Sequence, residues 1–294
     1  MSLVVPPNNI FIEGEMTGGS IMEQQPMARP LVSVVIPTLN GSRLTERCLS
    51  SFARTVQGID CELIVVDDGS EEGEKERLRA LASAYGSRLI ELPQRSGFAR
   101  AVNAGLRAAA GRHLLLLNND IYFHEPDWLG AMLRTMNEGQ RVGIVGCRLL
   151  YSDLTIQHGG GALSLEEGHI HLHRGKPADA PEAGLSYDAV SVTGAVMLVR
   201  REVTDDIGLL SEDYPLSYED VDFCLRARKA GWRVVYCGRA AAIHDEGSTR
   251  GMTLEDKPAA WHAEERESYR LFWSRWADDE FIALTPSELE GDRG

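Results

Sequence analysis

The sequence predicts an α/β protein whose core is a doubly wound, mostly parallel β-sheet with helices on both faces. From residue 31 onwards, short apolar runs alternate with segments in which apolar residues recur at helical spacing. Three of these runs, residues 32–36, 63–66 and 113–117, pass directly into polar residues. Because ligands of open α/β sheets bind at the carboxyl ends of the strands, the three strand ends predict one polar site.

In the first half of the chain, each predicted strand is followed by a predicted helix. The strands are residues 32–36, 63–66, 88–92 and 113–117. The helices have apolar stripes within residues 44–56, 78–85, 98–110 and 128–136. Gly86 and Gly111 close the second and third helices, and Pro126 suits the first turn of the fourth. This succession is typical of a parallel sheet wound by crossover helices.

The second half predicts shorter strands and one acidic helix. The strands are residues 142–145, 148–151, 190–200, 232–236 and 240–243. A helix over residues 217–230 begins with acids, which suit the positive end of the helix dipole. An aromatic-rich helix over residues 259–277 is expected to pack against the domain, with a membrane or acceptor-docking surface as the alternative.

Composition and charge exclude several classes of protein. The chain has 294 residues and a net charge of −14, which argues against a nucleic-acid-binding protein. No apolar stretch approaches the roughly 20 residues of a membrane span, and no secretory signal is apparent. Five scattered cysteines without a CxxC pair indicate reduced thiols rather than a zinc site or a disulfide framework. Residues 1–30 read as an N-terminal arm or linker.

Acidic side chains at the predicted strand ends indicate a site for a cation and a polar ligand. The sequence has neither a P-loop nor a GxGxxG after its first strand, so a divalent cation held by Asp120 is the expected neutraliser of any nucleotide phosphates. The adjacent Asp67 and Asp68 can accept hydrogen bonds from a base or ribose. The alternative is that these acids are ordinary turn residues after strands.

Three acids within five residues have two interpretations. Asp220 or its neighbour Glu219 can serve as a general base for a hydroxyl group. The alternative is a solvated first helical turn that balances the dipole. Asp222 is two positions beyond Asp220 and is expected to form a structural pair with Arg226 at the i,i+4 spacing.

Histidines form the last candidate group. His244 ends a predicted strand and can ligate a metal through its neutral imidazole, although a lone histidine is also common in loops and cores. His169, His171 and His173 alternate, so they are expected to share one strand face. That pattern favours a half-exposed polar face over a metal site.

Seven segments, taken together, resemble the inverting glycosyltransferases of family 2, which have the GT-A fold. In the family's order, they are residues 32–40, 62–70, 97–99 with Asn103, 117–120, 193–195, 219–222 with Arg226, and 231–244. The subgroup resembled is the rhamnosyltransferase-like one of polysaccharide and O-antigen assembly. The resemblance implies a GT-A domain over residues 31–254, with a smaller mixed sheet on the acceptor side and a C-terminal helical extension over residues 255–294.

The resemblance implies a nucleotide-binding half of the site. Pro37 and Leu39 would flank the base and ribose, and Asp68 would hydrogen-bond a uracil or thymine. The other residues implied to bind the nucleotide sugar in this half are Thr38, Asn40, Asp67, Gly97, Phe98, Asn103, Asn118 and Asn119.

The resemblance also implies a reacting half. Asp120 matches the last acid of the family's metal-binding DXD motif, while Asn118 stands where the first acid is usual. His244 matches a further metal ligand, so Mg²⁺ or Mn²⁺ is the implied cofactor. Asp220 matches the catalytic base. The residues implied to line the sugar pocket are Thr193, Gly194 and Glu219.

The function implied is transfer of a sugar, with inversion, from a UDP- or dTDP-sugar to a saccharide or lipid-linked saccharide in cell-surface polysaccharide or O-antigen assembly. The implied location is cytoplasmic, with peripheral attachment to the inner membrane face as an option. One alternative is a nucleotidyltransferase that makes sugar nucleotides, but that class is expected to carry a basic, glycine-rich loop after its first strand. A non-catalytic saccharide-binding domain is the other, and it would have no need of Asp120, Glu219 and Asp220.

Overall fold

The fold is that of a computed structural model, which describes residues 29–245 and 259–282. Nearly all of the predicted N-terminal arm, residues 1–28, therefore lies outside the described residues, as do residues 246–258 and 283–294 of the predicted domain end and C-terminal extension.

The described residues contain twelve strands, ten of them in one central sheet. They are β1 (Val32–Thr38), β2 (Cys61–Asp67), β3 (Arg88–Glu91), β4 (His113–Leu117), β5 (Ile121–Tyr122), β6 (Val142–Leu150), β7 (Ile156–His158), β8 (Gly161–Ser164), β9 (Gly168–His171), β10 (Tyr187–Asp188), β11 (Val196–Arg200) and β12 (Arg233–His244).

Seven α-helices accompany the strands in the described ranges, together with a 3₁₀ turn over Pro181–Gly184. The helices are α1 (Ser42–Thr55), α2 (Glu72–Tyr85), α3 (Phe98–Ala108), α4 (Trp128–Asn137), α5 (Arg201–Ile207), α6 (Glu219–Lys229) and α7 (Ala259–Trp276).

The central sheet is mostly parallel, as predicted. Strands β3, β2, β1 and β4 are parallel neighbours, and β12 pairs in parallel with β6. Strand β11 runs antiparallel between β4 and β6 and joins the two parallel groups into one sheet. The short strands β10, β5 and β7 add antiparallel pairs, and β8 with β9 forms a separate antiparallel hairpin. The small sheet is therefore antiparallel rather than mixed, because β6 and β12 extend the central sheet instead.

Helices cover both faces of the sheet, which confirms the predicted doubly wound α/β class. Alternate residues of β1 point to opposite faces, so Val34 and Ile36 pack in one apolar core and Val35 packs in the other. The first core receives Phe52 of α1 and residues of α2 and α4, and the second receives Phe223 of α6 and residues of α3 and α5. This double burial explains the continuous apolar runs of the central strands.

Element boundaries differ from the sequence predictions where backbone geometry intervenes. The two strands predicted within residues 142–151 form one strand, β6, over Val142–Leu150. The two strands predicted within residues 232–243 merge into β12 across an irregularity between Cys237 and Ala241. At Gly238, a Cβ atom would lie 2.4 Å from the carbonyl oxygens of Ala183 and Leu185, so glycine allows this close approach. The strand predicted over residues 190–200 is regular only from its seventh residue, Val196, onwards, as β11.

Helix α7 docks on α6, as its aromatic residues predict. Phe272 and Trp276 are buried in an apolar cluster with Val221 and Leu225 of α6. The Trp276 indole also donates a hydrogen bond of 3.1 Å to buried Asp222. Among the described residues, no helix combines the length and the apolar character needed to cross a membrane.

Candidate active site

One cavity of about 530 Å³ lies at the carboxyl ends of β1, β2 and β4, and it collects most of the predicted site residues. Its size is typical of small-molecule sites. The predicted residues that line it are Pro37, Thr38, Leu39, Asp68, Gly97, Phe98, Asn118, Asn119, Asp120, Thr193, Gly194, Glu219, Asp220 and His244.

Three predicted binding residues, Asn40, Asp67 and Asn103, do not line this cavity. Asp67 is fully buried and accepts hydrogen bonds from the Ser70 backbone N–H. Asn40 accepts a hydrogen bond from the Glu71 backbone N–H at 2.9 Å. Both side chains therefore shape the loops behind the cavity.

Asn103 is placed away from the cavity by its position on α3. It lies five residues after Phe98, which is about 140° around the helix. Its amide donates to the Leu210 carbonyl and to Glu212, both at 2.9 Å, and accepts from the Leu210 backbone N–H. In the described residues this amide anchors the segment between α5 and α6, and its expected place near the nucleotide stays a prediction.

Asp68 organises the end of the cavity next to the loop before α3. Its carboxylate accepts hydrogen bonds from Ser96, through the backbone N–H at 2.7 Å and the hydroxyl at 2.6 Å, and from the Gly97 N–H at 3.0 Å. The next residue, Gly69, has a φ of +81°, and a Cβ there would lie 2.3 Å from the Gln94 backbone. The strand end and the loop before α3 are therefore locked together around this carboxylate.

Asp120 and His244 are brought together by the pairing of β5 with the end of β12. His244 pairs with Ile121, and the Asp245 backbone N–H donates to the Asp120 carbonyl at 3.1 Å. As a result, His244 Nε2 lies 3.3 Å from Asp120 Oδ1, and both side chains are about one-tenth exposed. The expected metal ligands are therefore neighbours.

Two buried oxygen atoms of residues that line the cavity accept no hydrogen bond. One is Asp120 Oδ1, an atom of this pair, and the other is Asn118 Oδ1. An orphaned buried acceptor is costly, and a hard divalent cation is the partner that carboxylate and amide oxygens suit. The residue types therefore fit Mg²⁺ or Mn²⁺. Since the described residues hold no cluster of three or more His, Cys, Asp or Glu side chains suited to a metal, phosphate oxygens would have to complete its coordination.

Asp220 faces the cavity from the first turn of α6. Its Oδ2 accepts the Gly194 backbone N–H and its Oδ1 accepts the Val221 N–H, each at 2.8 Å. A Cβ at position 194 would lie only 3.2 Å from the Asp220 Cβ, so glycine permits this contact. Each carboxylate oxygen keeps a further lone pair, which is what a general base toward a cavity-bound hydroxyl requires.

Asp222 has the structural role expected of it. It is 3% exposed and bonds Arg226 Nε at 2.7 Å, four residues along α6. It also accepts hydrogen bonds from the Tyr214 hydroxyl and the Trp276 indole. The two neighbouring aspartates thus divide between the cavity and the core.

A set of cavity residues was not predicted as part of the site. They include Arg95, His169, His171, Arg174, Tyr218, Trp261 and Glu265. The alternating histidines were the only local signal, and β9 places two of them on the cavity wall. Trp261 and Glu265 come from α7, for which the sequence offered an acceptor-docking surface only as the alternative to packing.

The half-buried histidines of the cavity wall, His169 and His171, contact polar groups behind it. His171 Nδ1 lies 2.7 Å from Nδ1 of buried His158, and His169 Nε2 lies 3.0 Å from the Ser191 hydroxyl. Burial lowers the pKa of His158 well below its usual value and lowers the pKa of His169 to about 4. The imidazoles of His158 and His169 are therefore hydrogen-bonding groups rather than cations at neutral pH.

Sequence comparisons agree with this geometry. The chain is 33% identical to the uncharacterized protein y4gI of Sinorhizobium fredii over 86% of the chain, and 30% identical to the O-antigen biosynthesis protein RfbC of Myxococcus xanthus over 75% of the chain. It spans only 28% and 18% of the length of these two proteins. It is also 28% identical to the glycosyltransferase AglE of Haloferax volcanii, over 73% of the chain and 67% of that protein.

Solved structures share the fold. The mannosyltransferase PcManGT from Pyrobaculum calidifontis, in complex with GDP-Man and Mn²⁺, superposes with a TM-score of 0.63 at 19% identity, over 91% of this chain and 72% of that one. GalNAc-T7 with UDP, GalNAc and Mn²⁺ gives a TM-score of 0.62 at 16% identity, over 74% and 44%. These neighbours are GT-A glycosyltransferases, which confirms the predicted GT-A fold. Since the sequence profile "Glycosyl transferase family 2" also matches residues 33–208, the chain belongs to glycosyltransferase family 2.

Proposed function

We propose that this chain transfers a hexosyl group from a UDP- or dTDP-sugar to a hydroxyl of a saccharide or lipid-linked saccharide, with inversion at the anomeric carbon. The observation that carries the proposal is the meeting of Asp68, Asp120 and Asp220 in one cavity, where Asp120 Oδ1 has no hydrogen-bond partner and lies 3.3 Å from His244 Nε2. Such a reaction needs a group that binds the nucleotide, a ligand for the cation and a general base, and we assign these roles to Asp68, Asp120 and Asp220.

The proposed reaction is a single displacement. Asp220 takes the proton of the acceptor hydroxyl while that oxygen forms a bond to the anomeric carbon. The bond from the anomeric carbon to the diphosphate oxygen breaks on the opposite face, and the nucleoside diphosphate leaves with the electron pair. A divalent cation held by Asp120, His244 and Asn118 would offset the negative charge on the leaving diphosphate. Because attack and departure occur on opposite faces, the product has the inverted configuration.

The proposed substrates follow from the site and from the relatives. The two solved neighbours hold UDP with Mn²⁺ or GDP-Man with Mn²⁺, which supports a nucleotide sugar and a divalent cation here. RfbC is named for O-antigen biosynthesis, which supports a glycoconjugate acceptor. We retain the rhamnosyltransferase-like subgroup as part of this proposal, together with the pyrimidine base that Asp68 would recognise.

Nucleotide binding is the first test. Melting curves would be recorded with UDP, dTDP, GDP, ATP or NAD, each with and without Mn²⁺ or Mg²⁺. A pyrimidine nucleotide at a hundred times its Kd should stabilise the protein by about 2.7 kcal/mol, and ATP and NAD should do so far less. Stabilisation by ATP but by no pyrimidine nucleotide would overturn the donor assignment.

Turnover is the second test, and it separates the proposal from a nucleotidyltransferase or a non-catalytic domain. Donor hydrolysis or transfer to a model saccharide would be followed by release of nucleoside diphosphate. NMR of the first-formed product reports its anomeric configuration. Release of pyrophosphate, or retention of configuration, would contradict the proposed reaction.

A further inference from the structure

The hydrogen bond behind His244 defines which of its nitrogen atoms faces Asp120. On the side away from the cavity, His244 Nδ1 lies 2.7 Å from Oε1 of Gln157. An amide oxygen only accepts hydrogen bonds, so Nδ1 carries the proton and donates it. In the neutral ring, Nε2 is then an unprotonated lone pair.

This tautomer has a consequence on the cavity side. His244 Nε2 lies 3.3 Å from Asp120 Oδ1, and this oxygen accepts no hydrogen bond. With the ring proton on Nδ1, Nε2 has no hydrogen to donate to the carboxylate. Two acceptor atoms therefore face each other across a gap, and an arrangement of that kind is stable when a cation lies against both.

Gln157 is built to hold this orientation. It lies on β7 and is 5% exposed. Strand β6 lies between β7 and β12, so the backbones of these two strands are roughly 10 Å apart and the side chains of Gln157 and His244 meet across β6. Its neighbour His158 is engaged with His171 and the Thr193 backbone N–H instead. The amide of Gln157 is thus the group that the described contacts show behind the imidazole.

We infer that Gln157 is a positioning residue, which fixes His244 in the tautomer whose lone pair faces Asp120 and thereby sets the affinity for the divalent cation. The inference rests on the proposed function, because it assumes that Asp120 and His244 ligate that cation. Groups of this kind behind a metal-binding histidine typically change metal affinity by roughly 10–100-fold when they are removed.

The test is a titration with Mn²⁺, followed by electron paramagnetic resonance of the free ion, with and without UDP. Gln157→Leu removes the acceptor at similar volume and should weaken Mn²⁺ binding by roughly 10–100-fold. Gln157→Glu keeps an acceptor oxygen and should retain the parent affinity or exceed it. Gln140→Leu makes the same change at an exposed position near the opposite end of β6 and should have no effect.

A double-mutant cycle separates positioning from general structural damage. In a His244→Ala background, Gln157→Leu should cost no further Mn²⁺ affinity, since its effect passes through the imidazole. If Gln157→Leu fails to fold by circular dichroism, Gln157→Met enters the same titration and cycle.

The outcomes distinguish the inference from the function beneath it. Parent-like Mn²⁺ affinity in Gln157→Leu, with weakened binding in His244→Ala, would overturn the role of Gln157 and leave the cation site in place. If Gln157→Leu lowers Mn²⁺ affinity by the same factor in the parent and in the His244→Ala background, the positioning role of Gln157 is also overturned. If Asp120→Ala and His244→Ala both bind Mn²⁺ as the parent does, the proposed cation site itself fails.

Discussion

Replacement of Asp220 by asparagine separates a catalytic from a structural carboxylate. The amide keeps the size of the side chain and one acceptor oxygen, but its NH₂ group must face one of the two backbone N–H groups, those of Gly194 and Val221, that the carboxylate now binds at 2.8 Å. Loss of one such hydrogen bond costs about 1 kcal/mol of unfolding free energy. Loss of the general base should reduce turnover by roughly 10²–10⁴-fold.

Asp222→Asn is the matched control, because it makes the same change two residues along α6. That carboxylate accepts hydrogen bonds from Arg226, Tyr214 and Trp276 and is 3% exposed. Removing one partner of a buried ion pair costs about 3–5 kcal/mol. Arg226 also donates to the carbonyls of Ile207 and Leu209, so we expect the lower end of that range.

The assay is transfer or donor hydrolysis per folded molecule, measured beside a denaturant melt and donor binding for each variant. Asp220→Asn should bind donor like the parent, unfold slightly earlier and turn over far more slowly. Asp222→Asn should show the reverse balance, with a large loss of stability and near-parent turnover while folded. Near-normal turnover in Asp220→Asn would refute its assignment as the base, and would leave it as a helix-terminal acid worth about 0.3–1 kcal/mol.

Three further predictions concern the proposed cation ligand Asp120, the turn at Gly69 and the pKa of His169. Asp120→Asn replaces a carboxylate oxygen that lacks a hydrogen bond by an amide that can donate to His244, so without metal the variant should melt at or above the parent temperature. In the presence of UDP, Mn²⁺ should no longer raise its melting temperature. If Mn²⁺ still raises it, the proposed cation site is contradicted. Gly69→Ala places a Cβ at a positive φ and against the Gln94 backbone, so it should lower the free energy of unfolding by at least roughly 1–2 kcal/mol and weaken nucleotide binding. Its control is Gly73→Ala, which lies inside α2 with open space around its Cβ. That variant should raise the free energy of unfolding by roughly 0.5–1 kcal/mol. Because the pKa of His169 is lowered in the folded state, the unfolded chain binds a proton between about pH 6.5 and 4 that the folded chain does not. The free energy of unfolding should therefore fall as the pH drops through this range, by up to about 1.4 kcal/mol per pH unit for this residue. His169→Asn should make this pH dependence less steep, and an unchanged slope would contradict the lowered pKa.

The sequence could predict those parts of the site that depend on periodicity and on the ends of strands. Carboxyl ends of parallel strands share one edge, so Asp68 and Asp120 were expected together, and the cavity holds both. Which of two adjacent acids faces the cavity is a different question, since successive strand residues point to opposite sides. Asp67 turned inward to the Ser70 N–H, and no composition or spacing rule distinguishes it from its neighbour.

Residues brought in by tertiary packing could not be predicted in the same way. Trp261 reaches the cavity because α7 docks on α6 through buried aromatic residues, and its ring lies 5.4 Å from the Arg95 guanidinium. The predicted aromatic-rich helix contains Trp261, but no local pattern shows that its ring meets Arg95. The link of Gln157 to His244 likewise spans 87 residues, and it exists because β6 lies between their strands. Long-range pairing of this kind is a property of the assembled sheet rather than of any segment.

Three of the carboxylates that line the cavity, those of Asp68, Asp120 and Asp220, differ in the groups that compensate their charge. Backbone N–H groups hold Asp68 and Asp220 in fixed positions, with no rearrangement needed when a ligand arrives. Asp120 instead keeps a buried oxygen without a hydrogen bond, opposite a lone pair of His244. A buried carboxylate oxygen without a hydrogen bond costs free energy, and the fold avoids this cost at Asp68 and Asp220. Local violations of this kind are typical of functional positions. Under the proposed function, a cation that binds with the donor diphosphate would supply the missing charge. Donor and cation should then bind cooperatively, each raising the affinity of the other by the same factor.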